Sequence, residues 1–402
     1  MAIEIRTPSA DELHAAMLAG ESAFAAELQE GDFERHKKTM PLGRFLAAYD
    51  DGRPVGTAAA YPFELTIPGG TIPAGGVTWI GVMPSHRRRG IMTRFVEHQF
   101  GALREAGEPV AILWASESAI YGRFGYGIAA PTLSIEADRM RFRLRGDPEP
   151  VGTMRLVDAE EAAKDFPPVY DRIRREVPGM FARSPQWWTE IRLADPKEWR
   201  RGAGPKFFAL YERGGEPEGY TIYRVKHEWQ QGIPGSQVQV LEALGVSHVA
   251  TREVWRFLFG IDLVARVESR FVDPAFPFLL VVEDPRSLRL LVSDGLWLRL
   301  VDVEAALRAR SYATADALVL QVHDALCEWN SGRFRVGASV ERTDDEPDLD
   351  LDVADLASCY LGAFDFQTLA RGNRVREVRA GALERASALF RTERPPYCPE
   401  VF

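Results

Sequence analysis

Three successive arginines, Arg87, Arg88 and Arg89, run into Gly90 and then into Ile91, Met92, Phe95, Val96, Phe100 and Leu103. The apolar spacing predicts an amphipathic helix over 91–103, and the apolar run over 77–82 predicts a strand ending just before the arginines. The first N–H groups of a helix have no partner inside it and carry a partial positive charge, so this strand–turn–helix is a cradle for a diphosphate. Gly90 lets the backbone approach the phosphates, and the arginines add fixed charge. A second stretch, 115–126, follows a buried-type strand over 110–114. Ser116 reads as an N-cap, and 117–124 as a short helix closed by Gly125. Tyr121 lies on that helix. Its phenol, with an ordinary pKa of about 10, can protonate a thiolate whose acid has a pKa of about 8.5. Tyr126 reads as a packing residue.

Two strands separated by a helix of this length make a parallel βαβ unit, which sets both stretches side by side at the carboxyl edge of a sheet, where ligands of open α/β sheets bind. Upstream, 10–29 has helical spacing, and Ser9 with Glu12 fits a capping box. Strands are expected over 45–49 and 56–63, joined by the hairpin signal Asp50-Asp51-Gly52. The Gly- and Pro-rich stretch 145–152 reads as a linker, and a second boundary falls near 283–286. Between them lie a hairpin around Gly214-Gly215, a strand over 238–245 and a helix over 249–259. The last third is expected to hold strands over 288–292, 295–301 and 317–323, then helices within 353–363 and 366–389. The acidic strip 344–352 reads as a solvated turn leading into a strand or helix. Prolines keep the tail, 395–402, out of a helix. The fold class is α/β (α+β), in three parts, 1–150, 151–285 and 286–402.

The 402 residues carry 49 Lys and Arg against 58 Asp and Glu, a net charge of −9, the reverse of a nucleic-acid binder. Hydrophobic residues at 46% and charged residues at 27% exclude gross disorder. The longest apolar runs, such as 278–282, fall far short of the roughly 20 residues needed to span a bilayer, and the N-terminus lacks a signal-peptide pattern. Cys327, Cys359 and Cys398 are far apart and form no CxxC pair, so neither a disulfide framework nor a metal site is expected and the reducing cytoplasm is the expected location.

Together the two stretches resemble the GNAT superfamily of acetyl-CoA-dependent N-acetyltransferases. The superfamily turn, Arg/Gln-x-x-Gly-x-Gly/Ala, maps to 87–92, with Met92 in place of the usual small residue. More narrowly, His86-Arg-Arg-Arg-Gly90, Ala115-Ser-Glu117, Ile120-Tyr-Gly-Arg-Phe-Gly-Tyr-Gly127, the run 294–303 and Tyr360-Leu-Gly362 resemble the Eis (enhanced intracellular survival) family. That resemblance implies an N-terminal GNAT domain, a degenerate GNAT-like domain and a C-terminal domain like sterol carrier protein. It also implies a homohexamer that acetylates aminoglycosides. The central part agrees with a degenerate copy, since 238–245 runs into 246–252 with no Arg-x-x-Gly-x-Gly turn.

Acetyl transfer to an amine needs a base for the ammonium, N–H donors for the developing oxyanion and an acid for the thiolate. The resemblance implies Tyr121 as the acid and the carboxylate of Phe402 as the base. It implies that the thioester carbonyl rests on the backbone of Ile80, Gly81 and Val82, that the diphosphate meets Arg87, Arg88, Arg89, Gly90, Ile91, Met92 and Thr93, and that Ser116 and Glu117 also contact the coenzyme. Trp79 beside the thioester, Trp187 in the central part and Glu400 are candidates for the substrate wall. The family can place an acid immediately before the terminal Phe, where this chain has Val401. Two other readings stay open at this point: a GNAT enzyme for a protein lysine, polyamine or arylalkylamine, and a non-catalytic carrier of a lipid or other hydrophobic ligand. No nucleic-acid or membrane partner is expected.

Overall fold

The computed structural model describes residues 3–146 and 148–402, so Asp147 of the expected linker lies outside the described residues. The chain divides into two compact units, one of Met1–Ala129, Leu296–Glu393 and Phe402, the other of Ala130–Gly295 and Arg394–Val401.

The first unit begins with β1 (Glu4–Arg6), α1 (Leu13–Ala23), α2 (Glu30–Thr39), β2 (Phe45–Asp50), β3 (Arg53–Ile67) and β4 (Gly70–Val82). The capping box leads into α1: the Ser9 amide donates to the Glu12 carboxylate at 2.8 Å, and the Glu12 amide to Ser9 Oγ at 3.4 Å. The stretch 10–29 is not one helix. It stops at Ala23, Ala25 takes φ +54°, and the chain turns toward α2, which the sequence pattern did not announce. The Asp51–Gly52 turn forms as expected, with φ of +50° and +73°, the two left-handed residues that a two-residue hairpin needs.

From β4 a turn leads into α3 (Ile91–Glu105) and β5 (Val110–Trp114), then α4 (Ser118–Tyr121) and β6 (Gly127–Asp138). β4 and β5 pair in parallel only at Ala74↔Val110, Gly75↔Ala111 and Gly76↔Ile112, and then part. β4 also bulges there. Thr57 faces Gly81 and Ala59 faces Thr78, which leaves Trp79 and Ile80 opposite Ala58. Trp79 sits at φ +54°, and its carbonyl accepts from Thr57 Oγ1 at 2.8 Å.

The second unit takes up the chain within β6 and continues through β7 (Thr153–Val157), α5 (Ala159–Arg174), β8 (Phe207–Arg213), β9 (Glu216–Lys226), the short pair β10 (Trp229–Gln230) and β11 (Ile233–Pro234), β12 (Ser236–Gly245), α6 (His248–Gly260), β13 (Val264–Val272) and α7 (Phe278–Val281). Its sheet runs β6-β13-β12-β9-β8-β7, with β12 and β13 parallel around α6. One core forms about Trp255, Leu258, Val238 and Phe278, and a second about Phe166, Tyr170, Trp188, Tyr220 and Tyr397.

The remaining elements are β14 (Leu291–Leu300), α8 (Val303–Ala309), β15 (Leu318–His323), β16 (Gly332–Val336), β17 (Val340–Arg342), β18 (Leu349–Asp352), α9 (Val353–Tyr360), α10 (Phe366–Arg371), β19 (Val375–Glu377) and α11 (Ala382–Leu389). Residues 296–300 pair antiparallel with β5 and so extend the first unit's sheet. β15 to β19 form a five-stranded sheet in the order β17-β16-β15-β18-β19. Two expectations are corrected here. The separate strands over 288–292 and 295–301 are one strand that follows a turn at Pro285–Leu288. The expected helix within 366–389 is two helices with β19 between them, where Val375–Glu377 pairs with β18. The acidic strip does lead into a strand, β18, and then a helix, α9.

Candidate active site

Where β4 and β5 part, the first unit holds a cleft of about 960 Å³. Its lining brings together Ile80, Gly81, Val82, Arg87, Arg88, Gly90, Ile91, Met92, Thr93, Ser116, Glu117 and Tyr121, all singled out from the sequence. Gly90 is the N-cap of α3, with φ +75° and no side-chain cap, so no capping side chain claims the first amides of the helix. A Cβ on Gly90 would meet nothing within 4 Å, so the glycine serves the left-handed backbone and keeps the space in front of the amides open.

The three arginines divide their work. Arg87 donates from Nε to the Val82 carbonyl at 3.3 Å and from Nη2 to the Ala23 carbonyl at 3.0 Å, tying the end of β4 to the end of α1. Arg89, expected on the diphosphate, turns away to Asp50 at 3.5 Å, the carboxylate that also holds His86 at 3.1 Å. Arg88, itself at φ +63°, lines the cleft.

Tyr121 is buried, 6% exposed, with its ring edge-on to Tyr126 at 5.9 Å. Burial pushes its phenol above the ordinary tyrosine value, and a hydrogen bond with the Ser116 side chain pulls the other way. At neutral pH it is therefore a protonated acid. Ser116 is not the N-cap of α4. Glu117 occupies that position without a side-chain cap, and Ser116 serves the phenol instead. Tyr126 is fully buried beside Phe100, as a packing residue should be.

Trp79, Trp187 and Glu400, expected at the substrate wall, are not among the residues that line this cleft. The bulge sends the Trp79 ring toward the α1–α2 side, edge-on to His36 at 4.9 Å and in a small cavity with Leu13, Met17 and Met40. Trp187 and Glu400 belong to the second unit and bond to each other, Trp187 Nε1 donating to the carboxylate at 2.9 Å. Glu400 also accepts from Arg183 Nε at 2.7 Å, and Arg183 grips Glu242 with its other nitrogens at 2.6 and 3.2 Å. The Phe402 ring meets Phe63 edge-on at 5.1 Å, and Phe63 stacks on Tyr61 at 5.4 Å. His36 Nδ1 is 3.2 Å from the Tyr61 hydroxyl, and burial lowers its pKa to about 4, so this imidazole is neutral.

Sequence reasoning missed Phe24, Arg123, Phe124 and Leu326 in the cleft lining. Leu326 arrives from the C-terminal part. Buried Asp324 accepts from the amides of Leu326 and Cys327 at 3.1 and 3.0 Å, from Asn330 Nδ2 at 2.9 Å and from Arg299 Nη2. Arg299 also lies against the turn that carries Tyr121: a Cβ on Gly125 would sit 2.2 Å from its Nη1. The glycine before Tyr126 is thus required both by φ +79° and by this close approach.

The domains and the fold match those of known proteins. An acetyltransferase (GNAT) domain description matches residues 4–129, and a second one matches 179–300, while a sterol carrier protein domain description matches 303–399. The N-acetyltransferase Eis of Mycobacterium tuberculosis is 32% identical over 98% of both chains. The chain belongs to the Eis family of GNAT N-acetyltransferases. Like that family it is an N-acetyltransferase with a GNAT domain, a second GNAT-like domain and a sterol-carrier-like domain. An uncharacterised N-acetyltransferase of Streptomyces coelicolor is 41% identical over 87% of this chain and 86% of its own. The crystal structure of an Eis protein from Mycobacterium abscessus matches with a TM-score of 0.86 and 33% identity, over 99% of this chain and 100% of that one. A GCN5-related N-acetyltransferase from Anabaena variabilis, 22% identical, has the same fold with a TM-score of 0.84 over 100% of both chains.

Proposed function

We propose that this Eis-family enzyme transfers the acetyl group of acetyl-CoA to primary amines of aminoglycosides, with Tyr121 as the acid and the carboxylate of Phe402 as the base. The observation that carries the reading is one cleft holding both the uncapped amides of α3 and the phenol of Tyr121. The cleft fits the coenzyme: its volume is about 960 Å³, and the Gly90 side of the cradle is open. GNAT acetyltransferases use acetyl-CoA, which supplies the activated acyl group. The three parts 1–150, 151–285 and 286–402 are assigned as the catalytic GNAT domain, the GNAT-like domain and the sterol-carrier-like domain. Family membership supports a homohexamer working in the cytoplasm, without a metal.

The chain's own groups then act as follows. The amides at the start of α3, with Arg88, hold the diphosphate. Backbone from Ile80 to Val82, freed from pairing with β5 beyond Gly76, faces the cleft and orients the acyl carbonyl. The Tyr121 hydroxyl gives its proton to the departing sulfur, and its burial keeps that proton in place until then. The Phe402 carboxylate, ionised at neutral pH with an ordinary pKa of about 3.3 to 3.7, takes the proton from the substrate ammonium, directly or through water.

Thiol release from acetyl-CoA, measured against aminoglycosides, polyamines, lysine peptides and arylalkylamines, tests this. Turnover with aminoglycosides at several amines is expected. Turnover confined to another amine class would replace the substrate assignment. Appending residues after Phe402 should abolish transfer and leave coenzyme binding intact, and a fully active extended protein would remove the terminal carboxylate from the mechanism.

A further inference from the structure

The cleft of the first unit contains a cation that the site described above does not use. Four basic side chains line it: His86, Arg87, Arg88 and Arg123. His86 is committed to Asp50 and to Ser85 Oγ at 2.8 Å. Arg87 is tied down by two of its five N–H donors, which hold the Val82 and Ala23 carbonyls. Arg88 belongs to the cradle turn itself. Arg123 stands apart, on the turn Gly122–Phe124 that follows Tyr121. Its guanidinium lies over the Phe124 ring at 4.8 Å, and Nη2 is 3.7 Å from the Met92 sulfur. Both contacts are soft. A ring face attracts the charge without taking up a donor, and a thioether sulfur is a weak acceptor. Among the described residues Arg123 has no carboxylate partner. It is an exposed arginine held in a fixed place with its strong donors unclaimed.

That place is beside Met92, the second residue of α3, hence next to the amides that take the diphosphate. Coenzyme A carries, besides its diphosphate, a separate phosphate on the ribose 3′ oxygen of the same nucleotide. The α3 amides and Arg88 can satisfy the first, and beyond that turn Arg123 is the lining cation with no oxygen acceptor among the described residues, free to answer the second. We propose that Arg123 is the receptor for the ribose 3′-phosphate and makes the enzyme select coenzyme A over its 3′-dephospho form. This rests on acetyl-CoA occupying the cleft. The planar fork of an arginine suits a phosphate, and such charge-assisted bonds are the strong ones.

Calorimetric titration of the full-length protein with coenzyme A and with 3′-dephospho-coenzyme A reads this without any turnover. The wild type should bind coenzyme A about 10- to 100-fold more tightly, the range for hydrogen bonds to a charged group. Arg123→Gln should lose that factor for coenzyme A, leave the dephospho form unchanged and melt like the wild type, and Arg123→Lys should recover part of the discrimination. Equal weakening of both ligands in Arg123→Gln, or discrimination that survives there and vanishes in Arg88→Gln, would overturn the assignment. A wild type that binds neither ligand would instead overturn the acetyl-CoA reading on which it stands.

Discussion

The chain builds the same strand–helix–strand motif twice, and only the first copy is open. In the first, β4 and α3 are joined by residues 83–90; in the second, β12 and α6 are joined by 246–247 alone. Both leading strands lose their parallel partner partway, after Gly76 in β4 and after Val240 in β12, and both shift register near that point. In the first copy the long turn sets a glycine at the helix start and leaves its amides unclaimed. In the second, Ser247 Oγ takes the Ala250 amide at 3.2 Å, and α6 packs so closely on the strand that a Cβ on Gly245 would lie 2.4 Å from the Thr251 nitrogen. Where β12 runs free of β13, buried Arg183, Glu242, Glu400 and Trp187, with half-buried Arg192, fill the interior. The difference is one of turn length and cap: the first copy's turn stands off its strand with the helix cap unsatisfied, and the second's does neither.

The sharpest test removes the phenol proposed as the acid in the open copy. Tyr121→Phe should lower kcat by about 10²- to 10⁴-fold, the usual contribution of a positioned acid, with coenzyme affinity nearly unchanged. Single-turnover rates and calorimetric titration separate the two effects, and a wild-type rate in the variant would end the acid role. Because burial raises the Tyr121 pKa, any alkaline fall in the wild-type rate that reports this group should lie above pH about 10, the ordinary tyrosine value.

The closed copy should break by a different route. Arg183 is wholly buried between two carboxylates, with its guanidinium 3.8 Å from the Tyr170 ring. Arg183→Met leaves those acids short of a cation, and the loss should be about 3–5 kcal/mol in chemical denaturation. Burial would raise the Glu242 pKa, but Arg183 and Arg192 together outweigh it and hold it at about 2, against an ordinary 4.5. Glu242 therefore lends stability that is complete above pH 4.5 and fades as pH falls toward 2. Acid unfolding of the wild type should show that loss, and Arg183→Met should show much less of it.

The same contrast separates what the sequence made legible from what it hid. The Ser9–Glu12 box, the Asp51–Gly52 turn and the run from Arg87 to Thr93 were legible because each is a short-range pattern with a backbone reason. The separate jobs of Arg87 and Arg89 were not, because their partners, Ala23 and Asp50, lie 64 and 39 residues away. Leu326 reaches the cleft only through the Asp324 network and has no local signature. In the sequence Trp187 and Glu400 are substrate-wall candidates, since an aromatic and an acid suit a polycationic sugar. Their pairing through Arg183 appears only when sites 217 and 213 residues apart are folded together. α2 escaped because its mostly polar residues do not show the apolar period of a buried face.

Glycine at the open turn gives a finer test. Gly90→Ala meets no atom, so its cost is that of a left-handed alanine, about 1–2 kcal/mol. That strain should appear in coenzyme affinity as well as melting temperature, because relieving it moves the amides proposed to hold the diphosphate. An unchanged Kd with a lowered Tm would show that the cradle tolerates a shift.

The smallest expected effect concerns the cap that the open copy lacks. Ser247→Ala removes the side-chain acceptor of the Ala250 amide and should cost about 1 kcal/mol. Coenzyme affinity should stay at the wild-type value, because the backbone of Ala250 and Thr251 lies against Gly245 and leaves no stand-off between strand and helix start. Stronger coenzyme binding, or a second equivalent in the titration, would mean that an unsatisfied cap is enough to make a site, and that the length of the turn before α3 is not what distinguishes the two copies.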